Sequence, residues 1–542
     1  MWMLNVLEEK AKTFFPRTSS GLVREFGTMD VLLMSSAAVF ALVFAILQFP
    51  WYYGFNPGAN LGLSLVFGAI PFLLLMLTYW AVGVIMPRSG NDYVWVARIM
   101  HPAIGFAWSF LYMFMVFTTA FCLSVFALAS SVGGCLVVWG VLYNSPGLVG
   151  VGNWISTPAG SFFMSIGITL VFACLAIFGA KAVKRFLYIF WTIAVIGIIV
   201  MWGLLASTTP AAFAAKWDGV LSQSLSYEGV TTLATKQNWT FTAVTLAGSL
   251  AALPFAGLFE LGGNFVNVMA GEIKETKKAL PIALFLSLIF GIIFWTVTST
   301  LTLSAVGENW MYGLAYLWDN ASGAYSSAMP YAPTLTLMLS LIAYPNQLLV
   351  AIVFSTFALG SLPALFVYFW IPSRYFFAWS FDRIIPTKMA EVSKKYRTPH
   401  ISVAVVTVFS IVIFGSIAFT TWGFMETLGS FLWEVCFIVP AIATVIFPFR
   451  KPELLAAAPG FMRKKIAGIP IISVLGALTA IAFAYMGYLV ITNPLIVSPS
   501  LSAILFAVGL IVACFVVYYA SLYYHKRGGV DMEMAFKEIP PV

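Results

Sequence analysis

Glu260, Gly262, Gly263 and Asn264 stand together inside an apolar run from Phe241 to Ala270. A charge at membrane depth costs about 2.5–3.5 kcal/mol or more, so it is retained where it faces a cavity, a partner or an ion path. Each glycine weakens a helix by about 1 kcal/mol relative to alanine. An acid beside a helix-breaking pair is the pattern of a discontinuous spanning helix that binds a small solute or ion at the bilayer midplane. The chemistry on offer is reversible protonation, or pairing with an ammonium group. The structural alternative is a protonated Glu260 hydrogen-bonded between helices, with the glycines there for close packing. Asn264 and Asn267 follow the pair. Their amides suit a polar ligand, or the cap of a second half-helix. Glu434 lies about halfway along a second apolar run and Glu426 near its outer end, about 80° apart on a helix. A desolvated carboxyl that holds its proton near working pH can load and release it, which makes Glu434 a second candidate for proton coupling beside Glu260. Its alternative is a neutral carboxyl hydrogen-bonded in the bundle, and Glu426 reads as an interfacial charge reaching water.

These groups need a scaffold that lipid tolerates. The chain has 542 residues, of which 61% are hydrophobic and only 9% charged, against about 25% charged in soluble domains. Runs of about 20 apolar residues span a bilayer. Twelve are expected, at roughly 29–49, 61–86, 103–130, 161–180, 186–206, 241–270, 280–304, 346–371, 401–420, 424–447, 471–492 and 501–524. They are continuous rather than alternating, so the class is an all-α polytopic membrane protein and not a barrel.

The net charge of +8 is topological. With the N-terminus inside, 26 of the 28 Lys and Arg fall in cytoplasmic segments, and only Lys216 and Lys236 fall outside. That is the positive-inside asymmetry; it argues for cytoplasmic termini and against a nucleic-acid partner. The first 28 residues have no apolar core of a cleavable signal. The five cysteines form no metal-type cluster or evident disulfide pair. Sequons at Asn238 and Asn320 fall in expected external loops.

The organisation expected is a cytoplasmic segment 1–28, a transport core 29–447 in two halves (about 29–206 and 241–447), peripheral helices within 471–524 and a tail 525–542. Five spans per half is odd, so the halves run in opposite orientation. Each has a long third helix, from Pro102 and from about Asn346, and inverted repeats place a solute at their interface. The external segments 207–240 and 307–345 carry Trp217, Tyr227, Trp239, Trp310, Tyr312, Tyr316, Trp318 and Tyr325, expected as an interfacial aromatic belt, with short re-entrant helices as the alternative. Asp92, Asp382, Arg374 and Arg383 are expected on solvated cytoplasmic faces, with an inner gate as the alternative.

Several stretches resemble the amino acid–polyamine–organocation (APC) superfamily permeases. Pro87-Arg88-Ser89-Gly90-Asn91-Asp92-Tyr93-Val94 is similar to that family's P-R-[AS]-G-G-x-Y-V. Ser373-Arg374, Asp382 to Pro386 and Thr398-Pro399 are similar to its S-R…D-x-x-x-P…T-P, and Glu272 to Pro281 to its exit from the sixth span. Gly179-Ala180-Lys181 and Arg450-Lys451-Pro452-Glu453 also fit. The resemblance implies a LeuT-like 5+5 inverted repeat plus two peripheral helices, with alternating access around a site between spans 1, 3, 6 and 8. It implies a substrate held by unwound backbone at Ser35, Ser36, Ala37 and Ala38 in span 1 and at Gly262, Gly263 and Asn264 in span 6, under a lid of Phe255 and Phe259. Span 1 departs from the family pattern, reading Met34-Ser35-Ser36-Ala37-Ala38-Val39-Phe40-Ala41 with no glycine. Small residues would permit an unwound turn there; the alternative for both serines is helix packing.

Many family members carry a lysine in span 5 in place of a sodium ion. The matching Trp191-Thr192-Ile193-Ala194-Val195 has none. Sodium would instead sit at Ser355, Thr356 and Ser361 of span 8, unless those hydroxyls bond back to their own helix. The expected activity is proton-coupled symport of amino acids or related organic amines across the plasma membrane. The alternatives are an exchanger or uniporter of a nucleobase or organic acid, and a non-transporting nutrient sensor. The pattern fixes no oligomeric state. His101, His400 and His525 make no haem pair or HExxH, and no nucleotide loop is present, so neither an enzyme nor a cofactor is expected.

Overall fold

The computed structural model describes residues 21–40, 42, 51–260, 263–329, 331–420, 435–456, 458, 460–492, 501–532 and 536; the side chains of Phe40, Asn91, Ala256, Leu258, Phe259, Glu260 and Ala503 lie outside that description. Apolar composition dictates helices, because a backbone in lipid must satisfy its own polar groups; the strands among the described residues are a short antiparallel hairpin, Lys465–Ile466 with Ile469–Pro470. The helices that position the site are α1 (Thr28–Phe40), α2 (Leu61–Ile85), α3 (Asn91–Ile99), α4 (Pro102–Met115), α5 (Ser124–Leu142), α6 (Pro158–Phe178), α7 (Ala180–Ala206), α8 (Leu246–Ala251), α9 (Leu253–Glu260), α10 (Thr276–Val306), α11 (Gln347–Gly360), α12 (Leu362–Phe381), α13 (His400–Phe419), α14 (Ile438–Arg450), α15 (Ile471–Thr492) and α16 (Leu501–Arg527).

Nine helical units among the described residues are long and apolar enough to cross a membrane. The protein is therefore a multi-pass membrane protein. The expected spans 29–49, 241–270 and 424–447 are not among the nine. Each runs into residues outside the description, and the second is also broken. Helices α4 and α5 join through a π-helical turn, Val116–Leu123, into one unit of 41 residues. At 1.5 Å per residue that is roughly 60 Å, twice the hydrocarbon thickness. The unit α11–α12 has 35 residues and is interrupted at Ser361, ahead of Pro363, which has no N–H to continue the ladder.

The core forms where α1 packs between α10 and α12, with α10 also against α2. Glycine sets how closely other helices approach. A Cβ on Gly197 of α7 would fall on Thr356 of α11, so these two helices meet backbone to side chain.

The aromatic belt expected for the external segments is not what forms. Short helices Pro210–Leu221, Tyr227–Lys236 and Glu308–Asn320 fold their rings onto one another. Trp217 meets Trp310 edge-on at 4.9 Å and Tyr227 stacks on Trp310 at 5.3 Å. The Trp217 indole donates to the Leu225 carbonyl and that of Trp310 to the Tyr227 carbonyl. Rings that satisfy their N–H groups inside a cap have no need of the lipid interface.

Beside this cap, Tyr53, Gly54, Trp239, Tyr312, Tyr316 and Asn320 help line a cavity of about 210 Å³. Behind Gly54 sits the Asp319 carboxyl, with one oxygen buried and without a partner among the described residues. Burial pushes this carboxyl up to about 8. Between the ordinary Asp value of about 3.9 and 8 the folded chain then binds more protons than the unfolded one, so stability falls as pH rises through that window. Asp319→Asn is expected to flatten this slope and to melt above the parent protein at pH 8 and higher, measured by thermal unfolding against pH.

Candidate functional site

The helical rod around Glu260 is interrupted. Helix α9 ends at Glu260, and Gly263–Val268 and Ala270–Glu272 continue as buried 3₁₀ turns before α10 begins at Thr276. Glycine at 263 is a steric demand, because a Cβ there would meet Ser287 Oγ at 2.7 Å, Met76 at 3.1 Å and Ser35 Oγ at 3.3 Å. Buried irregular backbone must find partners. Here Glu25 and Phe26 N–H both donate to the Glu272 carbonyl, Lys274 N–H to Phe26, and Gly90 N–H to the Val268 carbonyl at 2.8 Å. Gly90 holds a left-handed φ of 71° to do so.

Side chains converge on this turn from distant helices. Asn264 Nδ2 donates to the Tyr112 hydroxyl of α4 at 3.2 Å, and Asn267 Nδ2 to the Asn264 carbonyl at 3.2 Å. Both asparagines are buried, and their Oδ1 atoms have no donor among the described residues. Two desolvated acceptors left unpaired are costly, and they fit a bound ammonium group. Phe265 packs edge-on against Tyr368 at 5.5 Å.

At the end of the bundle that carries most Lys and Arg, the chain is sealed by buried ion pairs. Arg374 of α12 meets Glu272 through Nε–Oε1 and Nη2–Oε2 contacts of 2.9 Å each, and stacks over Trp370 at 4.2 Å. Arg98 of α3 meets both Asp382 oxygens at 2.7 Å, and the Tyr93 hydroxyl donates to Asp382 at 2.8 Å. A third pair, half-buried, joins Lys184 of α7 to Asp30 of α1 at 2.8 Å.

The family described as amino acid permease matches residues 26–513. The chain belongs to the amino acid permease family. Membership makes it a transporter rather than an enzyme. The aspartate-proton symporter of Bacillus subtilis (strain 168) is similar, 22% identical over 471 residues, covering 86% of this chain and 79% of that protein.

In this permease the expected site residues are distributed unevenly. Ser35, Ser36, Ala37 and Ala38 lie within α1, which stays helical to Phe40, so the unwound turn expected at these residues is not found there. Ser35 Oγ lies at 3.0 Å from the Gly263 carbonyl, 3.1 Å from that of Ala283 and 2.8 Å from Ser287 Oγ, tying α1 to the 3₁₀ turn. Ser36 bonds back to the Leu32 carbonyl. The Ala38 and Val39 carbonyls accept from the Tyr368 hydroxyl and the Trp295 indole. Phe255 sits with Tyr52 and Phe55 at 6.1 and 5.9 Å. Phe259 and Glu260 close α9 with side chains outside the described set, and Gly262, Glu426 and Glu434 lie outside the described residues altogether.

Thr356 and Ser361 donate to Ile352 and Phe357 carbonyls one turn back, and Ser355 is half-buried. Asp92, Asp382 and Arg374, expected on solvated faces, are buried and partnered instead. Arg383 is half-buried in a left-handed turn. Sequence reasoning missed Tyr112, Arg98 and Tyr375 as polar groups of this centre. Only Arg98 carried a signal, as a cation within two turns of the Gly90 motif.

Proposed function

We propose that this permease is a proton-coupled symporter of amino acids that works by alternating access. The observation that carries the reading is the interruption after Glu260, beside the unpaired Asn264 and Asn267 oxygens, in an amino acid permease. The substrate's ammonium group pairs with those oxygens, and its carboxylate with N–H groups of the Gly263–Val268 turn. Ser35 to Ala38 line the opposite wall from α1, and Phe255 with Phe259 form the lid. Glu260 carries the proton, with Glu434 as the second candidate. The B. subtilis relative named as an aspartate-proton symporter supports proton over sodium.

The architecture that goes with this function has twelve spans: a LeuT-like 5+5 repeat over 29–206 and 241–447 plus peripheral helices within 471–524. The two long units, Pro102–Leu142 and Gln347–Phe381, occupy corresponding third places in the halves and support that repeat. The positive-inside distribution supports a plasma-membrane protein with segments 1–28 and 525–542 in the cytoplasm. The end sealed by Glu272–Arg374 and Arg98–Asp382 is then the inner one, closed in this conformation.

The test is uptake into proteoliposomes under an inward proton gradient, supplied with the standard L-amino acids. Glu260→Gln is expected to lower gradient-driven accumulation at least tenfold and to abolish its pH dependence. PH-dependent uptake equal to the parent's would remove Glu260 from the mechanism. Uptake that required preloaded substrate would make the protein an exchanger.

A further inference from the structure

Among the described residues four acids are buried: Asp30, Asp92, Glu272 and Asp382. Three are paired with a cation, Asp30 with Lys184, Glu272 with Arg374 and Asp382 with Arg98. Asp92 is the exception. It is fully buried, and its partners are neutral. Its Oδ1 accepts from the Tyr375 hydroxyl at 2.5 Å and from Tyr93 N–H at 2.9 Å, and its Oδ2 lies 3.4 Å from the Tyr79 hydroxyl.

Among the described residues, four elements around Asp92 bring uncharged groups toward it. Helix α2 brings Tyr79, α4 brings Tyr112, α12 brings Tyr375, and the turn before α14 brings the Cys436 thiol. The cation of its own helix, Arg98, is held by Asp382. Tyr112 belongs to two neighbourhoods. Its hydroxyl accepts from Asn264 at the broken helix and lies within electrostatic range of Asp92, and its ring meets that of Tyr375 edge-on at 6.1 Å.

We propose that Asp92 is a proton-binding group of the transport cycle, reached from the substrate turn through the Tyr112 hydroxyl and emptied toward the cytoplasm when the inner end opens. The proposal rests on the symport reading above and names the inner station of that proton path. Burial without a cation holds the Asp92 carboxyl up, to about 6. Tyr375 and Tyr93 oppose the rise by donating to the charged form. The ordinary Asp value is about 3.9. Opening the Arg98–Asp382 and Arg374–Glu272 seals would hydrate the carboxyl and return it toward that value, so the conformational change itself favours release about 100-fold. The balance is simple. One proton enters with the substrate, adds to the carboxylate to give the neutral acid, whose Oδ2–H can donate to Tyr79, and leaves to inner water with the carboxylate restored.

The test uses the full chain in liposomes with a pH dye inside, an inward proton gradient, and an equimolar mixture of the standard L-amino acids as probe. The parent protein is expected to acidify the lumen on addition of the mixture; if it does not, the symport reading itself fails. With that signal present, Asp92→Asn is expected to cut acidification at least tenfold while amino acid counterflow falls less than threefold. Acidification by Asp92→Asn within threefold of the parent's overturns the proposal, as does a tenfold loss of counterflow alongside it in protein that still melts cooperatively. If Asp92→Asn does not fold, Tyr375→Phe decides. Loss of a donor to the charged form is expected to move the midpoint of the uptake pH profile upward by half a unit or more, and an unmoved midpoint overturns the proposal.

Discussion

Arg374→Met is expected to destabilise the permease by about 3–5 kcal/mol and to abolish gradient-driven uptake, read by thermal unfolding and by proteoliposome transport. The cost comes from the partner left behind. Glu272 and Arg374 are 5% and 0% exposed, and they meet in a two-pronged contact with both distances at 2.9 Å. Removing one member of a buried pair strands the other as an uncompensated charge, which costs about 3–5 kcal/mol. Replacing both by apolar groups of similar volume is often neutral. The pair Arg374→Met with Glu272→Leu is therefore expected to recover most of the melting temperature. It is not expected to recover transport. In the proposed cycle this contact must form and break, and an apolar pair would hold the inner end shut without a polar state to open into. Recovered stability with uptake still lost separates a gate from a mere structural pair; full recovery of both would leave the pair no role in transport.

The sequence carried some of this arrangement and not the rest, for physical reasons. Apolar runs at 61–86 and 471–492 correspond within a residue to Leu61–Ile85 and Ile471–Thr492, because lipid demands an uninterrupted apolar helix and nothing else satisfies it. The loss of α-helix from Gly263 onward was legible for the converse reason. Two glycines and an asparagine beside an acid violate that demand, and a violation in a spanning run has few explanations. The ion pairs were illegible. Arg98 and Asp382 are 284 positions apart, and a charge in a loop between spans looks solvated until the fold brings its counter-charge. Trp217 and Trp310 misled in the same way, since a tryptophan near a span end reads as an interfacial anchor until another ring packs on it. Helix α1 stayed helical through Ser35 to Ala38 because small residues permit an unwound turn without requiring one. The tertiary contacts at Gly263, Ala283 and Ser287 hold Ser35 where a continuous helix puts it.

Gly90→Val is expected to be the second severe change, lowering stability by about 3–5 kcal/mol and eliminating transport. Two costs add at this position. The backbone is left-handed, with φ of 71°, which burdens a residue with a Cβ by about 1–2 kcal/mol and a β-branched one more. A Cβ would also lie 2.5 Å from the Ala378 Cβ, and overpacking of that kind costs about 1–3 kcal/mol. The two can be told apart. Gly90→Ala carries both in milder form, and adding Ala378→Gly removes the atom it strikes, so the double variant should recover the steric part and keep the backbone part, a residue of about 1–2 kcal/mol by the first estimate. The position matters for function because Gly90 begins the helix that carries Asp92 and Arg98, and its N–H ties that helix to Val268 in the broken segment. Shifting α3 away from α12 would loosen the Arg98–Asp382 contact and the Tyr375–Asp92 contact together, since each joins α3 to α12 or to the residue that caps it. A Gly90→Ala/Ala378→Gly protein that regains uptake in proportion to its stability would mean that α3 serves the cycle by where it sits. If stability returns and uptake does not, the left-handed turn itself must move during transport, as a hinge between the substrate turn and the inner seal.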